Sequence, residues 1–288
     1  ENKKIRRKIM KLLEKKKILC LFSLMIGLGS SLYAKSNVLQ LKGSDTLLHV
    51  SQAITEQYQK ETKTRIAISG GGSGIGISAL LNGTTDIAMS SRSIKAKEQE
   101  LAKAKGMKIK ETVLGFDGIT VIVNKGNHIK NMNTRLLAKI FRGEIKNWKE
   151  LGGQDAPIVV LSRDSSSGTH EFFKEHIIRE GNSKGRQEYG KKTLYLPSNE
   201  DIKQEVAKNK NAIGYIGMGY VDPSVHSLEI DGKTASAENV LNKSYPISRE
   251  IYWYSNQNLS ENGKSLIQYA LSPKGQQIIK QEGFVPIK

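Results

Sequence analysis

The run Ser69-Gly70-Gly71-Gly72-Ser73-Gly74-Ile75-Gly76 constrains this chain more than any other stretch. Before it, Arg65 to Ser69 reads as a short buried strand with Ile66 and Ile68 on one face. After it, Ile75, Ile77, Leu80 and Leu81 fit the inner side of a short helix that stops at Gly83. The glycines between let the backbone approach another group with no Cβ in the way. A glycine-rich turn feeding a helix N-terminus presents free N–H groups and the positive end of the helix dipole, the outline of an anion site. A tight turn without any ligand is the other reading, and the stretch alone leaves both open. Nucleotides fit poorly. Gly74 to Ala79 follows the loose G-x-G-x-x-A pattern, but it starts inside the helix entry, and positions 92–97 hold no acid for a ribose. The phosphate-loop pattern G-x-x-x-x-G-K-[ST] is absent. The stretch suits a small anion.

The same strand–turn–helix unit recurs. Val38 to Lys42 alternates like a strand and runs into Gly43-Ser44-Asp45-Thr46, followed by Leu47, Val50, Ile54 and Tyr58 at helical spacing. Thr85 to Met89 is a short apolar strand ending in Ser90-Ser91-Arg92, with a polar helix over 95–105. Ile158 to Ser162 runs into Arg163-Asp164-Ser165-Ser166-Ser167-Gly168-Thr169 and a helix toward Phe172 and Phe173. Further strands are expected at 112–116, 119–124, 212–216 and 245–254, and helices at 134–142, 199–208, 261–271 and 273–281. This order predicts an α/β fold with parallel strands. Such sheets bind ligands beyond the carboxyl ends of their strands. Those ends carry Ser44, Asp45, Thr46, Ser73, Ser91, Arg92, Arg163, Ser167, Gly168 and Thr169. One hydroxyl at a turn is explained by helix capping; several at the same end of successive strands point to a ligand.

Lys and Arg crowd positions 3–17, Ile18 to Leu32 is an almost uncharged apolar run, and Leu32-Tyr33-Ala34 precedes Lys35. Residues 1–34 therefore read as a signal peptide cleaved after Ala34, and the protein as exported to the periplasm or another extracytoplasmic space. Cys20, the only cysteine, lies inside this leader, so the mature chain has no thiol or disulfide. The formal charge of +17 falls to +10 once the nine Lys or Arg and two Glu of the leader are removed. The remaining lysines sit near glutamates on helix-like segments, and aromatics are not interleaved with them, which excludes a nucleic-acid groove. An enzyme needs a nucleophile with its base or a metal cluster. His49, His128, His170, His176 and His226 show no metal-ligand spacing, and His170, although near Ser167, reads as a helix-surface residue. No cofactor and no catalytic role is expected.

The ordered set Gly43-Ser44-Asp45-Thr46-Leu47, the glycine turn ending at Ser73, Asp86 to Arg92, and Arg163 to Thr169 resembles the phosphate-binding proteins of bacterial phosphate ABC transporters. Ile140 to Trp148 resembles a further stretch of that family, and the match spans residues 38–288. The resemblance implies a type II periplasmic-binding-protein fold, two α/β lobes with mixed sheets joined by a two-crossing hinge. Residues 35–115 and 246–288 would form lobe I and residues 116–245 lobe II. It implies a monomer that captures inorganic phosphate between the lobes and delivers it to membrane permease subunits. Ser44, Thr46 and Ser73 would bind oxygens from lobe I, and Arg163, Ser167, Gly168 and Thr169 from lobe II. Family members carry an aspartate at the position of Ser91, accepting the proton of hydrogen phosphate and repelling sulfate. Asp45 would supply that acceptor from the first turn, or else cap the helix that follows it. Sulfate, molybdate, or a phosphate-sensing or adhesive role are the alternatives.

Overall fold

The computed structural model describes residues 38–287; the leader expected at 1–34 lies outside them. Residues from Val38 onward form one compact unit. In chain order it runs β1 (Val38–Gly43), a 3-10 turn (Asp45–Leu47), α1 (Leu48–Thr62), β2 (Arg65–Ser69), α2 (Ser73–Leu81), β3 (Ile87–Ser90), α3 (Ala96–Ala104) and β4 (Ile109–Val123). There follow β5 (Asn131–Met132), α4 (Thr134–Phe141), β6 (Val159–Arg163), α5 (Gly168–Phe173), β7 (Leu194–Leu196), α6 (Asn199–Lys208) and β8 (Ala212–Gly217). The chain closes with β9 (His226–Ser227), β10 (Glu229–Ile230), α7 (Ala237–Leu241), β11 (Ser248–Asn256), α8 (Glu261–Leu271), α9 (Pro273–Gln281) and β12 (Val285–Pro286).

The main sheet has the strand order β2-β1-β3-β11-β4-β8-β6-β7 and mixes parallel with antiparallel pairs. β1 lies parallel to β2 and β3, and β6 parallel to β7 and β8. Between these groups β4 and β11 run antiparallel. The sequence suggests two strands broken near Gly115 and Gly118, but β4 is one strand of 15 residues. Its first part, through Gly118, pairs with β11, and Ile119 to Val123 pairs with β8. Ladders on changing partners, with one register shift beside Gly115, carry the backbone through both glycines.

Among the described residues the buried apolar side chains form four clusters. The two largest gather Leu41, Leu47, Ile54, Ile87, Trp253 and Leu266, and Ile119, Phe141, Phe173, Tyr215, Ile230 and Tyr245. Helix α1 buries the expected Val50, Ile54 and Tyr58 and stops at Lys63, which adopts the left-handed conformation and closes on Gln59 O. Two expectations for the glycine region need correction. β2 is an edge strand, with Ile66 and Ile68 half-buried and the rest exposed. Ile75 is 42% exposed; of the four expected inner residues only Ile77, Leu80 and Leu81 are buried on α2.

Candidate functional site

The β1–β3 ladder ends at Gly43 opposite Met89, so the turns leaving these strands are neighbours, and Ser44 N donates to Met89 O. Ser44 Oγ then donates to Ser91 Oγ at 2.9 Å. Ser73 Oγ, at the start of α2, accepts from Ser91 N at 3.0 Å and faces Ser91 Oγ at 3.3 Å. The turn after β6 meets this cluster from the other side. A Cβ on Gly168 would collide with Ser73 Oγ and Ser91 Oγ, so only glycine admits the approach. Thr169 Oγ1 lies 2.8 Å from Thr46 Oγ1. Ser44, Thr46, Ser73, Ser91, Ser167, Gly168 and Thr169 are all buried. Ser167 Oγ caps α5 by accepting from His170 N at 3.3 Å.

Arg163 ends β6 and is 1% exposed. Its Nη2 donates to Pro197 O at 2.6 Å and lies 3.4 Å from Asp45 Oδ2. Nε and Nη1 are buried and have no partner among the described residues. A buried cationic donor without a partner is costly, which gives this corner of the cluster a strong demand for acceptor oxygens. Asp45 does not cap the helix that follows it. Its Oδ2 instead accepts from Asn199 N at 2.9 Å and Asn199 Nδ2 at 2.8 Å, satisfying a first-turn amide of α6. The phenol of Tyr220 donates to Asp45 O.

The glycine turn uses its backbone differently from the expectation. Gly74 N donates to Ser166 O, and Ser166 Oγ donates to Gly71 O. Gly72 sits at φ +105°, and a Cβ there would stand 2.6 Å from Ser166 O. The missing side chains thus admit another protein loop. Arg92 is held by both carboxylate oxygens of Glu98.

His170 also departs from expectation. It is 6% exposed, stacked on Tyr189, with Nδ1 3.2 Å from Ser162 Oγ. Burial, aided by Lys174, pulls its pKa down to about 4. The ring faces Ser162, while Ser167 meets only its backbone, so the two do not form a nucleophile–base pair. Among the described residues no group of three His, Cys, Asp or Glu could hold a metal.

Sequence reasoning missed Asp117 and Arg249. Arg249 Nε and Nη2 donate to Asp117 Oδ2 at 2.9 and 2.6 Å, and Met218 N donates to Asp117 Oδ1. Arg249 Nη1 reaches Ser91 O and Nη2 reaches Thr169 Oγ1, each at 2.9 Å. A signal existed. Asp117 is the one charge among residues 113–123, and a buried charge needs an opposite partner, whereas Arg249, beside Glu250, carries no such mark.

The sequence matches the family described as the PBP superfamily domain over residues 33–274. Among named relatives, the phosphate-binding protein PstS of Borreliella burgdorferi is 29% identical over 283 residues, covering 95% of this chain and 99% of that one. PstS of Bacillus subtilis is 30% identical over 256 residues, covering 88% and 81%. Among solved structures, a putative phosphate ABC transporter substrate-binding protein from Clostridium perfringens, with bound phosphate, superposes with a TM-score of 0.81 at 37% identity. It covers 88% of this chain and 100% of its own. The chain belongs to the PBP superfamily and, within it, to the PstS family of phosphate-binding proteins, with a type II periplasmic-binding-protein fold.

Proposed function

We propose that the chain captures one inorganic phosphate and delivers it to the permease of a phosphate ABC transporter outside the cytoplasmic membrane. The observation that carries the reading is Arg163, a buried guanidinium with two unpartnered nitrogens beside a cluster of buried hydroxyls. Ser44, Thr46, Ser73, Ser91, Ser167 and Thr169 offer hydroxyls, Gly168 a backbone N–H, and Arg163 the charge, to phosphate oxygens. Asp45 joins the site beside Arg163. Residues 35–115 with 246–288 act as one lobe and 116–245 as the other, connected through β4 and the segment entering β11, and the ligand closes them. The chain acts as a monomer without cofactor or turnover, exported by residues 1–34. Among the described residues no helix is long and apolar enough to cross a membrane. The names of the two relatives given above, both phosphate-binding proteins, support the reading.

Calorimetry of the chain from residue 35 with phosphate, sulfate and molybdate tests it, with a phosphatase assay on the same sample. One phosphate per chain and no turnover is expected. No heat and no thermal shift at millimolar phosphate would overturn it, and tighter binding of sulfate or molybdate would reassign the ligand.

A further inference from the structure

Arg249 is the largest polar investment near the site that the proposed phosphate contacts leave unexplained. It is buried on β11, within the segment expected to be a crossing between the lobes, and Asp117 faces it from β4, also fully buried. Such a pair is seldom favourable for stability alone, because desolvating both ions offsets much of their attraction. Its hydrogen bonds point elsewhere. Nη1 fixes the backbone carbonyl of Ser91, whose side chain is the hub between Ser44 and Ser73. Nη2 donates to Thr169 Oγ1, on the far side of the cluster. One guanidinium therefore grips both walls.

The contact to Thr169 fixes a polarity. A hydroxyl can donate or accept, and beside a doubly charged oxyanion a hydroxyl presenting its lone pairs is repulsive. Arginine can only donate, so its bond occupies a lone pair on Thr169 Oγ1 and leaves the Thr169 proton to be given away. In this structure the neighbouring acceptor is Thr46 Oγ1, 2.8 Å distant, which itself meets Asn199 Nδ2 at 3.4 Å. Asp117 holds the guanidinium in this orientation through two bonds to one oxygen, while Met218 N holds the other oxygen. Resting on the phosphate reading above, we propose that Arg249, aimed by Asp117, is a positioning residue that presets the Thr169 hydroxyl as a donor to the bound oxyanion.

The test is a double-mutant cycle on phosphate affinity, measured by calorimetry on the chain from residue 35. Arg249→Lys keeps the charge but cannot reach Asp117, Thr169 and Ser91 together. Thr169→Val removes the hydroxyl. Each should weaken phosphate by about tenfold or more, and the double variant by little more than the worse single one, since the two act as a unit. Thr169→Ser should restore affinity and, combined with Arg249→Lys, restore the full Arg249 effect. A structural role alone would give the Arg249 loss whether or not residue 169 carries a hydroxyl. If Arg249→Lys does not fold, Asp117→Asn replaces it in the same cycle with the same expectation. Multiplicative losses in the double variant, or wild-type affinity in Arg249→Lys, overturn the positioning role while leaving phosphate binding intact. A wild-type chain that binds no phosphate overturns both.

Discussion

Arg163→Met separates binding from folding more sharply than any other change at the site. Methionine roughly preserves the apolar length of the side chain and removes the charge. The two unpartnered nitrogens, Nε and Nη1, are the donors free for a ligand. A hydrogen bond involving a charged group is worth about 1.5–3 kcal/mol, so two of them give roughly 3–6 kcal/mol, or about 10²- to 10⁴-fold in affinity. Without ligand the balance differs. The lost contacts are the bond to Pro197 O and the 3.4 Å approach to Asp45, which keeps both bonds from Asn199. Against them stands relief from burying an incompletely paired cation, while removing one partner of an ion pair leaves the other charge uncompensated; Asp45 keeps Asn199, which limits that cost. Ligand-free stability should therefore fall by no more than about 1–2 kcal/mol. Thermal scans give both quantities. Phosphate at a hundred times the wild-type Kd should stabilise wild type by about 2.7 kcal/mol and the variant by no more than about 0.4. Affinity retained within tenfold, or a ligand-free loss above about 3 kcal/mol, would show that Arg163 is structural.

Asp45→Asn tests whether this carboxylate reads the proton that distinguishes hydrogen phosphate from sulfate. Oδ2 is already engaged with Asn199 and faces Arg163, so the ratio of phosphate to sulfate affinity should change by less than about threefold. A tenfold fall by calorimetry would make Asp45 the acceptor. The pH dependence of folding should carry the mark of His170, held at about 4 against an ordinary 6.5 by burial. The unfolded chain takes up this proton below about pH 6.5 and the folded one only near 4. Stability is thus full above the upper value and falls through the window on acidification, by up to about 3 kcal/mol. His170→Phe should flatten that part of the urea-unfolding profile, and an unchanged acid slope would refute the assignment.

What the sequence made legible was local. The four polar turns, and the buried positions of α1, follow from spacing within a dozen residues, and all four turns stand where strand-end geometry puts them. What it concealed was pairing at a distance. Asp117 and Arg249 are 132 positions apart, and Asp45 and Asn199 154. Nothing in either neighbourhood names the partner, although Asp117 in its apolar run announces that one exists. Gly115 and Gly118 looked like a break because intrinsic preference is weak there, but pairing with β11 and then β8 overrides it. Helical period placed Ile75 inward and His170 outward, while packing does the reverse. Periodicity finds a face without saying how wide it is or what covers it.

Arg249 and Arg163, both buried, explain how such a site can be both stable and responsive. Arg249 is neutralised by Asp117 and fully engaged with the walls, so it adds order without an outstanding demand. Arg163 has partners too few for its donors, so the attraction for an anion is concentrated there. In the proposed two-lobe division, the contacts that cross between lobes include Thr46 with Thr169, Asp45 with Asn199 and Arg163, Tyr220 with Asp45, Ser166 with Gly71 and Gly74, and Arg249 with Asp117 and Thr169. The neutral bonds are worth about 0.5–1.5 kcal/mol net and those to a charged group about 1.5–3, and their sum is opposed by the hydration that open walls regain. An oxyanion that touches Arg163 and Thr169 on one lobe and Ser44 and Ser73 on the other interacts fully with the closed form alone. That difference in affinity is what moves the equilibrium between open and closed forms.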